Sequence, residues 1–369
     1  MPPFDELLAL LQRLIATPSF SREEDATAAL LADFLEAQGV EARRCGNNLW
    51  AAAAPLDAGK PTLLLHSHHD TVRPAKGWQR DPFAPQVEGG RLYGLGSNDA
   101  GGSLVALLGA FLHFRNRELP FNLLFAAGAE EEVSGSGGVE RLLPELPPVH
   151  AGIVGEPTGL QLATAERGLL VVDAEAEGVP GHVAHDNTRN AIYVALEDIR
   201  RLRSLKLPRV SPLLGAVRIG VTQIEAGTQH NVVPGACRFV IDVRSNGCYR
   251  NEELFAILEA ALQSRLRARS FRLQASSTPA DHPLVEACRR IGLETFGSNT
   301  LSDQALMPFP TVKIGCGDSR RSHTADEFIL LEEIRQGIRT YIALLENLRP
   351  EDARKFWNHE TLERTQHPG

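Results

Sequence analysis

Three short apolar runs each stop at a histidine or a carboxylate. They are Thr62-Leu-Leu-Leu-His-Ser-His-His-Asp70, Phe121-Asn-Leu-Leu-Phe-Ala-Ala-Gly-Ala-Glu130-Glu131-Glu132 and Ile153-Val-Gly-Glu156. Such runs read as buried strands, and Ala100–Phe114 between the first two reads as a helix. Strands alternating with helices point to an α/β sheet covered on both faces. Ligands in open α/β sheets gather beyond the carboxyl ends of the strands, and these polar residues stand there.

Helical spacing recurs at Phe4–Ala16, with apolar residues at Phe4, Leu7, Leu8, Leu11, Leu14 and Ile15. Ser21 and Glu24 have the spacing of a capping box that opens a helix to about Gln38, with Gly39 as its C′ residue. Leu49–Ala54 predicts a further strand. Beyond about Ala165 the order changes: strand Gly168–Glu177, helix Asn190–Leu205, strands Ala216–Glu225 and Cys237–Arg244, helix Asn251–Arg267. This suits a small inserted α+β layer. From about Pro279 the α/β character returns, with helices near Val285–Phe296 and Leu331–Leu348 and a strand at Thr311–Gly315. A single core rarely grows past roughly 250–300 residues, and this chain has 369. Two domains are therefore expected: residues 1–165 with 278–369, and residues 166–277. The charged segment 350–369 is expected to be a peripheral tail.

A net charge of −8 argues against nucleic acid or an anionic membrane as the main partner. No apolar run approaches the roughly 18 residues that span a bilayer. The opening Met-Pro-Pro-Phe-Asp-Glu lacks the basic stretch of a secretory signal. The five cysteines are odd in number and form no CxxC pair; both features fit a cytoplasmic protein with free thiols.

The chemistry lies in the set of strand-end residues. His68 and Asp70 have the spacing at which a carboxylate orients a metal-binding ring. In Tyr93-Gly-Leu-Gly-Ser-Asn-Asp99 a dinucleotide fingerprint fails, because Asp99 stands where its third glycine belongs and would repel a pyrophosphate. Adjacent carboxylates such as Glu130, Glu131 and Glu132 repel one another unless exposure or a cation relieves them. Glu156 ends one strand, and His323 lies in the Gly-rich loop after another. Oxygen and imidazole donors without cysteine suit zinc, with cobalt or manganese as substitutes.

Taken in order, these motifs resemble the dinuclear-zinc amidohydrolase family of acetylornithine deacetylase, succinyl-diaminopimelate desuccinylase, aminoacylase and glutamate carboxypeptidase. The resemblance extends to about Leu348. It implies a catalytic α/β domain with a mixed sheet sandwiched by helices, interrupted by an α+β lid domain that also dimerises. Two zinc ions per subunit are implied: His68 and Glu156 on one, Glu132 and His323 on the other, Asp99 bridging both. Asp70 would orient His68, and Glu131 would be the general base. The family's Asp-Glu-Glu is Glu130-Glu131-Glu132 here, so a register in which Glu130 is the base and Glu131 the ligand stays open. The run after the bridging Asp also departs, reading Asp99-Ala-Gly-Gly. The family's cis peptide would fall at Asp99–Ala100.

In the lid, His182 matches the histidine that reaches the active site across the dimer, with His185 the lesser candidate. Asn231 and Arg244 match substrate-binding residues, Arg244 reading the α-carboxylate. The pair Arg320 and Arg321, just before His323, is expected either to meet a second anion such as a succinyl carboxylate or to be paired with Asp318 or Asp326. The implied function is hydrolysis of N-acetyl or N-succinyl amino acids of the ornithine or citrulline type, in arginine biosynthesis. A dipeptidase or carboxypeptidase is the alternative enzyme, and a metal-binding scaffold without catalysis the alternative class.

Overall fold

The structure, a computed structural model, describes residues 2–357. The chain divides into two compact units. One holds the chain up to Thr164, Ser277–Phe296 and the chain from Ser302 onward; the other holds Ala165–Ser276 and Gly297–Leu301.

The first unit opens with the helix Phe4–Ile15, which buries Leu7, Leu10, Leu11, Leu14 and Ile15 along one stripe. The second helix, Asp25–Ala37, ends as expected: Gly39 takes φ +70° and the Val40 N–H reaches the Leu35 carbonyl. Its start differs. No capping box forms, because Ser21 Oγ donates to Asp70 Oδ2 instead and the Glu24 carboxylate accepts from Arg22 N, Asn47 Nδ2 and Glu130 N.

The main sheet is mixed. Its centre is parallel, in the order Asn122–Gly128, Thr62–His68, Ala151–Val154, Thr311–Lys313. Antiparallel Asn48–Ala52 and Arg43–Cys45 extend one side, and Leu162–Glu166 the other. All seven residues of Thr62–His68 are buried, as a strand covered on both faces requires. The helix Gly102–His113 packs on this sheet and against Leu331–Glu346. It is buried at every position from Gly102 to Leu112. Contact there is close enough that a Cβ on Gly102 would lie 2.2 Å from Ile329 Cδ1. A separate three-stranded sheet joins Phe328–Leu330, Arg91–Tyr93 and Gln86–Glu88.

Two sequence expectations overran. The helix from Asn251 stops at Ala261, and Arg265–Ala268 becomes an edge strand paired with Gly168–Glu177. The helix near Val285 spans Pro283–Arg290, closes with Gly292 at φ +81°, and gives way to the strand Thr295–Ser298. The segment expected to be a peripheral tail is also corrected in part. Pro350–Phe356 is a helix that buries Ala353 and Phe356, because its apolar residues join the main core; residues 358–369 lie outside the described residues.

The second unit is a four-stranded antiparallel sheet in the order Arg218–Ala226, Ala236–Ser245, Gly168–Glu177, Arg265–Ala268. Gly168–Glu177 buries alternate residues, Leu170, Val172, Ala174 and Ala176, against the helices Ala191–Ser204 and Asn251–Ala261. Its other face carries the half-buried Leu169 and Val171 and then Asp173, Glu175 and Glu177.

Candidate metal centre and active site

The central strands of the first unit are parallel, so their carboxyl ends open to one side. The segments that leave them carry Asp70, Glu131, Glu132, Glu156 and His323. Asp99 enters from the irregular turn Ser97–Gly101, whose Asp99–Ala100 peptide is cis.

His68 is the last residue of its strand and is 1% exposed. Its Nδ1 lies 3.0 Å from the Asp70 carbonyl oxygen and 3.4 Å from Asp70 Oδ1. That assigns the proton to Nδ1 and leaves the Nε2 lone pair facing the cluster. Asp70 is itself fixed, accepting from Ser21 Oγ at 2.7 Å and from the Glu131 and Glu132 amides at 3.1 and 3.2 Å. Around His68 Nε2 stand Asp99 Oδ1 at 3.4 Å, Glu156 Oε1 at 3.7 Å and Glu131 Oε2 at 4.0 Å. Asp99 Oδ2 turns the other way, 3.6 Å from His323 Nε2, which sits 2.9 Å from Glu132 Oε2. Each oxygen of one carboxylate thus faces a different imidazole.

The three glutamates respond differently from Asp99, in which burial raises the pKa but contacts with His68 lower it overall. Burial, then the charge of Glu156, raises Glu131 well above the ordinary glutamate range. Burial raises Glu132 despite its bond to His323, and lifts Glu156 to about 8 despite the nearby His68. His323 rises to about 9 through its hydrogen bond to Glu132. Burial opposes protonation of His68, yet Asp70, Asp99, Glu131 and Glu156 together raise its pKa. His68 Nε2 and Glu156 Oε1 are buried without a hydrogen-bond partner. Two sets of donor atoms, from His68, Glu131 and Glu156 and from His68, Asp99 and Glu132, each fall within 4.8 Å of one another. Buried, unpartnered oxygen and imidazole donors in this arrangement fit divalent cations.

Glu130 does not join them. At φ +56° it folds back, and its Oε2 accepts from Gly137 N at 3.3 Å. A Cβ on Gly137 would lie 2.1 Å from Glu130 Oε1, so only glycine admits that carboxylate.

The remaining expected site residues fare differently. Both arginines before His323 are engaged. Arg320 is exposed and forks onto Asp318, holding that carboxyl at about 2, while Arg321 forks onto Glu333. Arg320 thus takes the paired alternative with Asp318, and Arg321 pairs instead with Glu333, a partner that neither alternative named. In the other unit His182 is exposed beside Val232 in a two-stranded ribbon, and its Nδ1 accepts from Ala184 N at 3.2 Å. His185 lies 5.7 Å from it, ring to ring. The Asn231 carbonyl accepts from Val183 N. Arg244 forks onto Asp242 through Nε and Nη2.

Several supporting residues escaped the sequence reading. Ser21 holds Asp70, and Asn98 and Glu327 tie the Asp99 turn to the His323 loop. Buried His66 and Asp303 bond at 2.7 Å beneath the same strand ends.

The sequence matches Peptidase family M20/M25/M40 over residues 64–347. Among similar chains is a succinyl-diaminopimelate desuccinylase from Xanthomonas campestris, 29% identical, covering 93% of this chain and 99% of that one. An acetylornithine deacetylase from Myxococcus xanthus is 28% identical over 82% of this chain and 83% of its own. Among solved structures, a tripeptidase from Staphylococcus aureus superposes with TM-score 0.76 at 20% identity, covering 96% of this chain and 100% of that one. A dinuclear metal-binding peptidase from Bacillus subtilis superposes with TM-score 0.69 at 17% identity, covering 95% and 99%. With the family matched across most of its length and a cluster of cation donors at its strand ends, this chain belongs to Peptidase family M20/M25/M40 and is a metal-dependent amidohydrolase.

Proposed function

We propose that this protein hydrolyses the amide bond of an N-acyl amino acid of the ornithine or citrulline type, releasing the free amino acid and a carboxylate. The carrying observation is Asp99, whose two oxygens face His68 and His323. His68 and Glu156 would hold one cation and Glu132 and His323 the other, with Asp99 as a ligand available to both; zinc suits these donors, with cobalt or manganese as substitutes. When bound, such cations would supply an ionised water near neutral pH and Lewis-acid polarisation of the scissile carbonyl.

Glu131 is the general base. It takes a proton from water and passes it to the leaving nitrogen. Its buried setting strengthens its hold on a proton, which suits a group that must take one up from water before passing it on. That Glu130 is folded back onto Gly137 supports Glu131 over Glu130 for this role. His182, with Nδ1 occupied as an acceptor, presents Nε2–H as a donor to the developing oxyanion. Arg244, braced by Asp242 on one edge of its guanidinium, offers its other edge to the α-carboxylate. Asn231 assists in holding the substrate.

The inserted unit is the dimer contact in this reading, and His182 acts in the partner's site. Tyr193 and Leu196 on the helix Ala191–Ser204 are 68% and 50% exposed, and Ile224 stands exposed on the outermost strand. The reaction belongs to arginine biosynthesis in the cytoplasm. The test is an assay of metal-free and reloaded protein on N-acetyl and N-succinyl ornithine and citrulline, with dipeptides alongside. Cation-dependent turnover of an acyl amino acid over the dipeptides is expected; preference for dipeptides would overturn the substrate class.

A further inference from the structure

The two proposed cation positions are supported in different ways. His68 and Glu156 leave adjacent strands, Thr62–His68 and Ala151–Val154, whose parallel pairing sets their separation. Asp99 and His323 have no such frame, because both lie in irregular backbone; His323 itself takes φ +59°. Their separation depends on a reciprocal clamp between the two segments. The Glu327 carboxylate accepts from the Asn98 and Asp99 amides at 2.8 and 3.0 Å. In return the Asn98 side chain donates to the Asp318 carbonyl at 3.1 Å and accepts from Asp318 N at 3.0 Å. Its Nδ2 also reaches Ser322 Oγ at 3.4 Å, one residue before His323.

The clamp is built into buried space. Asn98 is 0% and Glu327 2% exposed. Gly317, at φ +88°, is where a Cβ would lie 2.4 Å from Asn98 Oδ1. The sheet pair Phe328↔Tyr93 and the bond from Gly94 N to the Glu327 carbonyl bring the two segments together. None of these bonds is made to the His68 or Glu156 side chain, although the Asp99 that Glu327 holds also faces His68 through its Oδ1.

We infer that Asn98 and Glu327 are positioning residues that set the Asp99–His323 separation, and so govern the Glu132–His323 cation position, where both Asp99 and His323 depend on them, more strongly than the His68–Glu156 position, which shares only Asp99. This rests on the two-cation reading above. Groups that orient metal ligands cost about 10–100-fold in affinity when removed, and here the larger loss falls on the cation position that includes His323.

The experiment is a cobalt(II) titration of metal-free wild type, Glu327→Gln and Asn98→Ala, followed by visible absorption and calorimetry. Glu132→Gln and Glu156→Gln identify which binding phase belongs to which position, and circular dichroism checks folding. Glu327→Gln keeps the side chain's size and Asn98→Ser offers a milder cut should Asn98→Ala not fold. Wild type is expected to bind two equivalents. The clamp variants should lose about tenfold or more on the phase that Glu132→Gln weakens, and distinctly less on the phase that Glu156→Gln weakens. Two equivalents at wild-type affinity in the variants, or equal losses in both phases, would overturn this inference alone. A wild type that binds no cobalt would overturn it together with the two-cation reading.

Discussion

On the open face of the inserted unit's sheet, Asp173 bonds Arg267 at 3.1 Å and Arg269 at 2.8 Å, and Glu175 bonds Arg238 at 2.7 Å and Arg265 at 3.1 Å. At the strand ends of the first unit Asp99, Glu131, Glu132 and Glu156 crowd two histidines instead. Both regions are dense in charge, but one is a ladder in which each acid has two arginines. The other is a buried cluster short of cations, with polar atoms lacking a partner. The ladder lowers its acids' pKa values and the cluster raises Glu131, Glu132 and Glu156. Surface charge neutralised in pairs needs nothing further and contributes little to stability; buried charge left unneutralised by the chain implies that something else completes it.

The comparison can be broken most directly by removing that completing charge. Chelation should abolish hydrolysis, and zinc, cobalt or manganese should restore it; turnover that survives exhaustive chelation would place the chemistry elsewhere. Next, Glu131→Gln should keep both cations yet slow kcat by about 100–10,000-fold, the range for losing a general acid–base group. If Glu130→Gln fails while Glu131→Gln works, the base has been placed one residue too late. Mixing His182→Ala with Glu131→Gln protomers should return part of the lost activity, since one site of the hybrid holds both residues intact. No return despite subunit exchange would rule out action across the dimer.

Smaller effects sharpen the contrast. In metal-free protein, Glu156 near 8 and His323 near 9 mean that the folded chain holds protons more tightly than the unfolded one. Raised carboxylates penalise the fold once ionised, and the favourable histidine contribution is lost as pH rises through about 9. Metal-free protein should therefore lose stability between about pH 6 and 9, by at least about 2 °C in Tm, while loaded protein changes less. The ladder has the opposite sign: Asp173 is depressed, so its contribution holds throughout that window and falls away only in acid. Removing it by Asp173→Asn should cost about 1 kcal/mol or less, shrink further in salt and leave turnover intact. A larger loss would mean the ladder carries the sheet.

Much of the cluster was legible because its residues sit at fixed offsets from apolar runs: His68, Asp70, Glu131, Glu132 and Glu156 all follow a strand. The supports were not. Glu333 pairs with Arg321 across 12 positions of chain, and Asn98 meets Asp318 across 220; no local pattern announces such partners. Ser21 and Glu24 carried a true capping spacing, but tertiary partners, Asp70 and Asn47 among them, claimed both side chains. At Arg265–Ala268 helical composition yielded to edge pairing with Gly168–Glu177, since strand or helix there depends on what lies alongside.

The central claim is that two cations complete the cluster, with Asp99 between them. Anomalous diffraction from crystals of the zinc-loaded protein tests it most directly. The account predicts two peaks per chain, roughly 3.5–4 Å apart, one ligated by His68 and Glu156 and the other by Glu132 and His323, with an Asp99 oxygen on each. A single peak, or two peaks with Glu131 rather than Glu132 ligating beside His323, would contradict it.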